Sequence, residues 1–170
     1  MPPKGKWAQG ITPRHFSWII QDQLAVSERP GGYGANHRRV RRQEEIIWVR
    51  EKGFSPVISL IPATHNLHNY DELSVSWLHW PFPMAEEYPK YLLDHYVEIQ
   101  RLLGQGRKLL VHHEELGDRT IGFVCGYLVW SGLVPEEPKA VFLAEHITSR
   151  QLGPPGREIV AVAGRLAAQR

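Results

Sequence analysis

The feature that most constrains the fold is a succession of an apolar strand, a polar loop and an apolar helix. Residues 108–111 are mostly apolar and of strand length, and residues 121–130 are apolar almost throughout, which is typical of a buried helix. A loop that leaves a buried strand and directly enters a helix brings free backbone N–H groups and the positive end of the helix dipole together. The segment therefore predicts an anion site. Arg119, at the end of the loop, has a guanidinium that can bind two oxygens of a phosphate or carboxylate.

The rest of the chain alternates between strand-like and helix-like segments. Strands are predicted at residues 16–20, 24–26, 57–61, 74–80 and 108–111. Helices are predicted at residues 35–52, 86–103, 136–148 and 156–168 and from the loop to Trp130, with a short helix or turn within 62–73. This alternation predicts an α/β domain with a central, mostly parallel sheet flanked by helices on both faces. Residues 1–15 are expected to form a flexible arm, and residues 16–170 the domain.

Composition excludes several classes of function. The chain has 170 residues, of which 42% are hydrophobic and 22% charged, as expected for one folded domain, and a formal net charge of +2 argues against a dedicated nucleic-acid binder. Cys125 is the single cysteine, which excludes an internal disulfide and a thiolate zinc cluster and favours a cytoplasmic location. No secretion signal precedes Phe16, and the apolar-rich stretch 121–134 is too short to span a membrane. We predict no cofactor, no metal and no membrane partner.

The loop also carries a recognisable spacing: Val111-His112, then His113, five residues, Arg119 and Thr120. It resembles the signature of the cysteine-dependent protein tyrosine and dual-specificity phosphatases, in which Val-His precedes the catalytic cysteine, five loop residues, an arginine and usually serine or threonine. Other segments resemble this family in the same order over about residues 16–150, namely FSWIIQDQLAVSERP, SPVISL, WLHWPFPM and SGLVPEE. The resemblance implies the phosphatase fold, with structural roles at the site for His112 and Thr120. It also implies a phosphate-binding loop formed by Glu114, Glu115, Leu116, Gly117, Asp118 and Arg119.

The departures from the family pattern concern the catalytic groups. His113 stands where the nucleophilic cysteine is expected, and Met84 stands where the loop after Phe82-Pro83 would supply the acidic residue. Cys125 lies two helical turns beyond the loop, where a core role is expected. Glu86 and Glu87 lie slightly further on than Met84 and could supply the acid after a shift of the loop, but solvated carboxylates at a helix start are the commoner explanation.

The loop itself also departs from the pattern. Leu116 stands where the family usually has glycine, which predicts a distorted cradle, and glycine follows at 117. Glu114, Glu115 and Asp118 outnumber Arg119, so the loop is acidic and we expect weakened phosphate binding. Glu114 or Asp118 either points outward or pairs with Arg119.

Three interpretations follow. The first is an inactive phosphatase-like module that binds or regulates a partner. In one version Arg119 and the loop recognise a phosphorylated protein or a small phosphorylated ligand. In the other the site is vestigial and any partner binds elsewhere on the protein surface. The second is an active phosphatase with His113 as nucleophile, since imidazole can form phospho-intermediates. The third is a metal site formed by His112, His113 and the nearby acidic residues, to which His65 and His68 could be added. It is disfavoured because adjacent strand residues point to opposite faces. The basic stretch 37–42 could contact phosphate, but the following Glu44 and Glu45 favour a solvated helix face.

Overall fold

The computed structural model describes residues 10–32 and 39–170. It consists of two compact units. The first contains the described residues of Met1–Pro81 and Arg107–Glu115, and the second contains Phe82–Gly106 and Leu116–Arg170.

The first unit contains the sheet. Its strands are β1 (Ser17–Ile20), β2 (Leu24–Ser27), β3 (Phe54–Ser59), β4 (Trp77–His79) and β5 (Lys108–His112). They are arranged in the order β1-β2-β5-β3-β4, with β1 antiparallel to β2 and the other neighbours parallel. The prediction of an α/β fold with a mostly parallel sheet flanked by helices is confirmed.

All five strands differ from their predicted bounds, and two of them differ by more than one residue. The strand predicted at 57–61 begins at Phe54, because that residue already pairs with Lys108 of β5. The strand predicted at 74–80 is reduced to β4, since Ser74 has a φ of 59°, which interrupts an extended backbone.

Two helices complete the first unit, α1 (Arg39–Glu51) and α2 (Leu67–Glu72). The apolar side of α1 packs with the sheet and α2 in one core cluster, whose members include Ile46, Val49, Val57, Tyr70 and Leu110. The helix predicted at 35–52 thus ends one residue early, and its predicted residues 35–38 lie outside the described part of the chain. Gly53 follows it with a left-handed φ of 83°, as expected after a helix.

The predicted arm is described only in part. Residues 1–9 lie outside the described residues. The backbone N–H of Ile11 donates a hydrogen bond of 3.1 Å to the Glu44 carbonyl of α1. The boundary between arm and domain at residue 15 stays a prediction.

The second unit is helical. A 3-10 turn at Ala85–Glu87 leads into α3 (Tyr88–Gly104), followed by α4 (Asp118–Ser131), α5 (Glu137–Thr148) and α6 (Pro154–Ala167). Eleven consecutive residues of α4, from Thr120 to Trp130, are buried. Two glycines permit close helix packing, since a Cβ on Gly122 would lie 2.8 Å from the Gly156 carbonyl oxygen. Among the described residues, no helix combines the length and apolar character needed to cross a bilayer.

Candidate functional site

His112 anchors the end of β5 in the first unit. It is 1% exposed, and its Nε2 accepts a hydrogen bond of 2.7 Å from the Tyr70 hydroxyl of α2. Its Nδ1 lies 3.0 Å from the His113 carbonyl oxygen, which can only accept, so the proton belongs on Nδ1. Burial lowers the pKa of His112 to about 4, and the imidazole is therefore neutral near pH 7. These contacts fit the structural role that the resemblance implies for His112.

His113, at the position expected for a nucleophile, uses a ring nitrogen within the loop. The backbone N–H of Glu114 donates a hydrogen bond of 2.8 Å to His113 Nδ1. Because this nitrogen accepts, a neutral His113 carries its proton on Nε2. The contact also directs the Glu114 backbone N–H, one of the loop amides, toward the His113 side chain.

Glu114 pairs with an arginine that the sequence did not mark as a site residue. Arg29 donates its backbone N–H to the Glu114 carbonyl at 3.3 Å, and its Nη1 lies 3.7 Å from Glu114 Oε1. Arg29 lies in the first unit two residues beyond β2, and Glu114 lies two residues beyond β5. Ser27 and His112 are register partners in those parallel strands, so the two segments leave the same edge of the sheet. The register of β2 against β5, which the sequence did not predict, brings Arg29 to the loop.

Asp118 caps a neighbouring helix in the second unit. It is the first residue of α4, and its Oδ1 accepts a hydrogen bond of 3.1 Å from the backbone N–H of Gly153, the N-cap of α6. The Asp118 carboxylate therefore bonds to the Gly153 N–H and not to Arg119. This hydrogen bond joins the start of α4 to the start of α6. Glu114 and Asp118, the two carboxylates considered as partners of Arg119, thus contact Arg29 and Gly153 respectively.

The remaining loop residues differ in their exposure. Leu116 is 1% exposed and Thr120 is fully buried, whereas Glu115 and Arg119 are exposed. Arg119 forms no ion pair with the residues that the structure describes. The Thr120 hydroxyl is buried without a hydrogen-bond partner in the described chain. Gly117 caps α4 in an extended conformation, with φ −127° and ψ −166°, and makes no use of a left-handed φ.

The segment expected to supply a general acid is exposed. Met84 precedes the 3-10 turn with 69% of its surface accessible, and its thioether has no proton to give. Glu86 and Glu87 lie in that turn and are also exposed.

Cys125 lies inside α4. It is fully buried, and burial raises the pKa of its thiol to about 12. A thiol in this state is protonated at neutral pH, and it is a poor nucleophile because the thiolate is the attacking species.

The histidines of the metal hypothesis do not meet in a cluster. His65, two residues before α2, and His68, within α2, are both exposed, and His65 Nε2 lies 3.0 Å from Asn66 Nδ2. Within residues 10–32 and 39–170, no group of three or more His, Cys, Asp or Glu side chains is arranged to hold a metal ion.

The basic stretch 37–42 and the glutamates that follow it are not all exposed to solvent. His37 and Arg38 lie outside the described residues, and Arg39 is exposed. Glu45, however, is fully buried and pairs with Arg41 at 3.5 Å between Oε1 and Nε. Its other oxygen accepts a short hydrogen bond from the Gly31 N–H. The expected solvated face is therefore wrong for Glu45, because the 28–32 turn packs over it.

Comparisons of structure identify the fold. Kinase associated phosphatase, with its catalytic-site cysteine replaced by serine, superposes with a TM-score of 0.74 at 18% identity, over 92% of this chain and 98% of that chain. Tk-PTP in its active form superposes with a TM-score of 0.67 at 19% sequence identity, over 92% of this chain and 98% of that chain. The human tyrosine phosphatase-like serine/threonine/tyrosine-interacting protein superposes with a TM-score of 0.62 at 15% sequence identity, over 91% of this chain and 96% of that chain. The chain has the fold of the protein tyrosine and dual-specificity phosphatases. No family model and no curated protein matches its sequence.

Proposed function

We propose that this chain is a non-catalytic phosphatase-fold module that recognises a phosphorylated protein or a small phosphorylated ligand through its loop. The observation that carries the proposal is the hydrogen bond from the Glu114 N–H to His113 Nδ1. A nucleophile needs a free lone pair, and an imidazole with one nitrogen accepting from the backbone and the other protonated offers none.

The other catalytic requirements support the same conclusion. Attack on phosphorus in this fold needs a thiolate, and the thiol of Cys125 is buried with a pKa raised to about 12. Departure of an alkoxide needs a proton donor, and Met84 has none to give. A missing nucleophile and a missing acid each remove a rate factor of several orders of magnitude, roughly 10²–10⁴ for the acid alone.

Two features support phosphate recognition, the Arg119 side chain and the N-terminus of α4. Arg119 lies in the first turn of the 14-residue helix α4, whose N-terminal N–H groups and dipole favour an anion. The side chain is exposed and is not neutralised by Glu114 or Asp118, whose contacts lie with Arg29 and Gly153. A planar guanidinium beside a helix N-terminus suits a phosphate dianion.

The test combines turnover with binding. We expect the purified protein to show no hydrolysis of p-nitrophenyl phosphate, while isothermal calorimetry detects tungstate or phosphate binding that Arg119→Ala weakens at least tenfold. Arg150→Ala is the matched control, since this arginine is also exposed in the second unit but lies outside the loop. Binding that is equal in both variants, or absent from the wild type, would contradict phosphate recognition and leave a vestigial site.

The active alternative makes the opposite prediction. If His113 is a nucleophile, p-nitrophenyl phosphate will be hydrolysed, a phosphohistidine will be trapped at His113, and His113→Ala will abolish both signals. That result would refute the non-catalytic proposal.

A further inference from the structure

A cluster of aromatic rings lies at the edge of the sheet where β3 and β5 begin. Phe54 and Lys108 are the first residues of these strands and are register partners. Phe54 is 3% exposed, and Trp18 and Trp48 stack on it with ring centroids 5.5 and 6.1 Å away. Both tryptophans are half-buried, so part of each indole lies at the surface of the first unit.

The ammonium groups of two lysines lie over these rings. Lys108 Nζ is 5.6 Å from the ring centroid of Phe54 and 5.9 Å from that of Trp18. Lys52 Nζ is 5.9 Å from the ring centroid of Trp48. Each of these separations is within the range of a cation–π contact. Lys108 Nζ also donates a hydrogen bond of 2.8 Å to the Lys52 carbonyl. The measured contacts therefore join the two lysines and the three rings in one group, the lysine–aromatic surface.

The cations of this surface have no carboxylate partner in the described chain. Lys52 and Lys108 form no ion pair with the residues that the structure describes. Arg107, which precedes Lys108 and is exposed, forms none with those residues either. Glu51, the carboxylate next to Lys52, pairs with Arg50 at 3.4 Å. The surface therefore presents three cations to an external anion.

We propose that the lysine–aromatic surface docks an acidic segment of a partner protein. Carboxylates of the segment accept hydrogen bonds from the lysine ammonium groups, and its aliphatic carbons pack on the exposed parts of the indoles. The surface lies apart from the anion loop, because Lys108 begins β5 and His112 ends it, about 13 Å further along an extended strand. The proposal goes beyond the proposed function and does not require a phosphorylated ligand.

A protein segment fits this surface better than a membrane or a nucleic acid. Phe16 meets Trp18 and Trp48 edge-on, with centroids 5.3 and 5.0 Å away, so the indoles are fixed in the core and do not protrude into a bilayer. Nucleobases bind by stacking on aromatic faces, and Phe54 already stacks on both indoles. The charge of the surface therefore selects an acidic ligand, and its packed rings favour a peptide.

The first experiment measures binding of a defined probe to the full chain. A short acetylated peptide of alternating glutamate and alanine is titrated into ¹⁵N-labelled protein, and the indole N–H signals of Trp18 and Trp48 are followed by NMR. We expect both signals to shift, and the shifts to diminish as added salt screens the charges. A peptide of alternating glutamine and alanine should leave them unchanged. No shift with the glutamate peptide, or equal shifts with the glutamine peptide, would overturn the docking surface.

The second experiment removes the cations. Lys52→Met and Lys108→Met keep an unbranched side chain over the rings and remove its charge. We expect each to raise the Kd for the glutamate peptide about threefold, and the double variant about tenfold. Arg39→Met is the control, since Arg39 is exposed and begins α1, whereas Lys52 follows the end of that helix, about 20 Å away. Urea unfolding confirms that each variant is folded. If Arg39→Met weakens binding as much as either lysine variant, the attraction reflects net charge and the surface is wrong.

Other occupants give different outcomes in the same titration. Phosphatidylcholine vesicles with about one third phosphatidylserine, and a short single-stranded oligonucleotide, are each compared with the glutamate peptide at equal negative charge. We expect the peptide to bind most tightly, and tighter binding by the vesicles or the oligonucleotide would contradict a protein partner. Signals that shift with protein concentration alone would assign the surface to a second copy of the chain and also contradict the proposal.

This proposal and the proposed function fail separately. Arg119 is not among the residues of the lysine–aromatic surface, so we expect Arg119→Ala to leave the Kd for the glutamate peptide unchanged. Absence of phosphate binding from a wild-type protein that binds the peptide would reject the proposed function and leave the docking surface in place. Loss of peptide binding in Arg119→Ala would place the peptide at the loop and reject the docking surface.

Discussion

Replacement of Gly126 by alanine tests how tightly the helix behind the loop is packed. A Cβ at this position of α4 would overlap the Tyr96 hydroxyl and lie 3.0 Å from Ala163 Cβ of α6. The Tyr96 hydroxyl is buried and donates a hydrogen bond of 2.7 Å to the Phe123 carbonyl, so it cannot move without losing that bond. The new methyl group must therefore displace a buried, hydrogen-bonded ring.

The magnitude follows from three contributions. Alanine gains about 1 kcal/mol over glycine inside a helix. Overpacking costs about 1–3 kcal/mol, and the disturbed hydrogen bond costs about 1 kcal/mol more. We expect Gly126→Ala to lower the free energy of unfolding by about 1–3 kcal/mol.

A double-mutant cycle isolates the cause. In a Tyr96→Phe background the hydroxyl is gone, so the cost of the methyl group falls to that of the Ala163 contact and the alanine becomes nearly neutral. The coupling energy between the two substitutions is then about 2 kcal/mol, measured by urea unfolding followed through tryptophan fluorescence. Gly104→Ala, where a Cβ would meet nothing within 4 Å, is the control and is expected to be neutral or stabilising. Equal stability of Gly126→Ala and Gly104→Ala, or a cycle without coupling, would contradict the tight packing of Gly126 against Tyr96.

Two further predictions concern titrating groups. The folded-state pKa of His112 is lowered to about 4 from an ordinary value of 6.5, so the unfolded chain takes up the proton first as the pH falls. Stability is therefore complete above about pH 6.5 and declines by about 3 kcal/mol toward pH 4, a decline that urea unfolding should find reduced in His112→Asn. Because burial raises the pKa of Cys125 to about 12, its thiol should react with a disulfide reagent at pH 8 only when urea unfolds the protein. Rapid labelling of the native protein would contradict the buried position of Cys125 in α4.

Much of the fold could be predicted because its signals are local. The apolar run of β5 and the continuous apolar stretch of α4 each specify an element without knowledge of the rest of the chain. Gly53 marked the end of α1 for the same reason. Element bounds were less accurate, since the extension of β3 to Phe54 depends on its pairing with β5.

The contacts of the candidate site depended on distant partners. Asp118 and Glu114 were plausible partners of Arg119, their neighbour in sequence. Asp118 instead caps α6, 35 residues further along the chain, and Glu114 pairs with Arg29, 85 residues earlier. Such pairings are set by strand register and helix packing, which spacing along the chain does not encode.

The sequence predicted that a strand, an anion-binding loop and a buried helix follow one another, with a histidine and a methionine where the resemblance places catalytic groups. The strand and the buried helix follow from residue identity and periodicity, whereas the significance of the histidine and the methionine follows from the resemblance to the phosphatases. The tertiary structure alone decided that the Glu114 amide occupies His113 Nδ1, that Arg29 faces the loop and that burial suppresses the acidity of the Cys125 thiol. Charge proximity and desolvation arise when segments distant in sequence pack together, and the bond between the neighbours His113 and Glu114 depends on a loop conformation that residue identity does not fix.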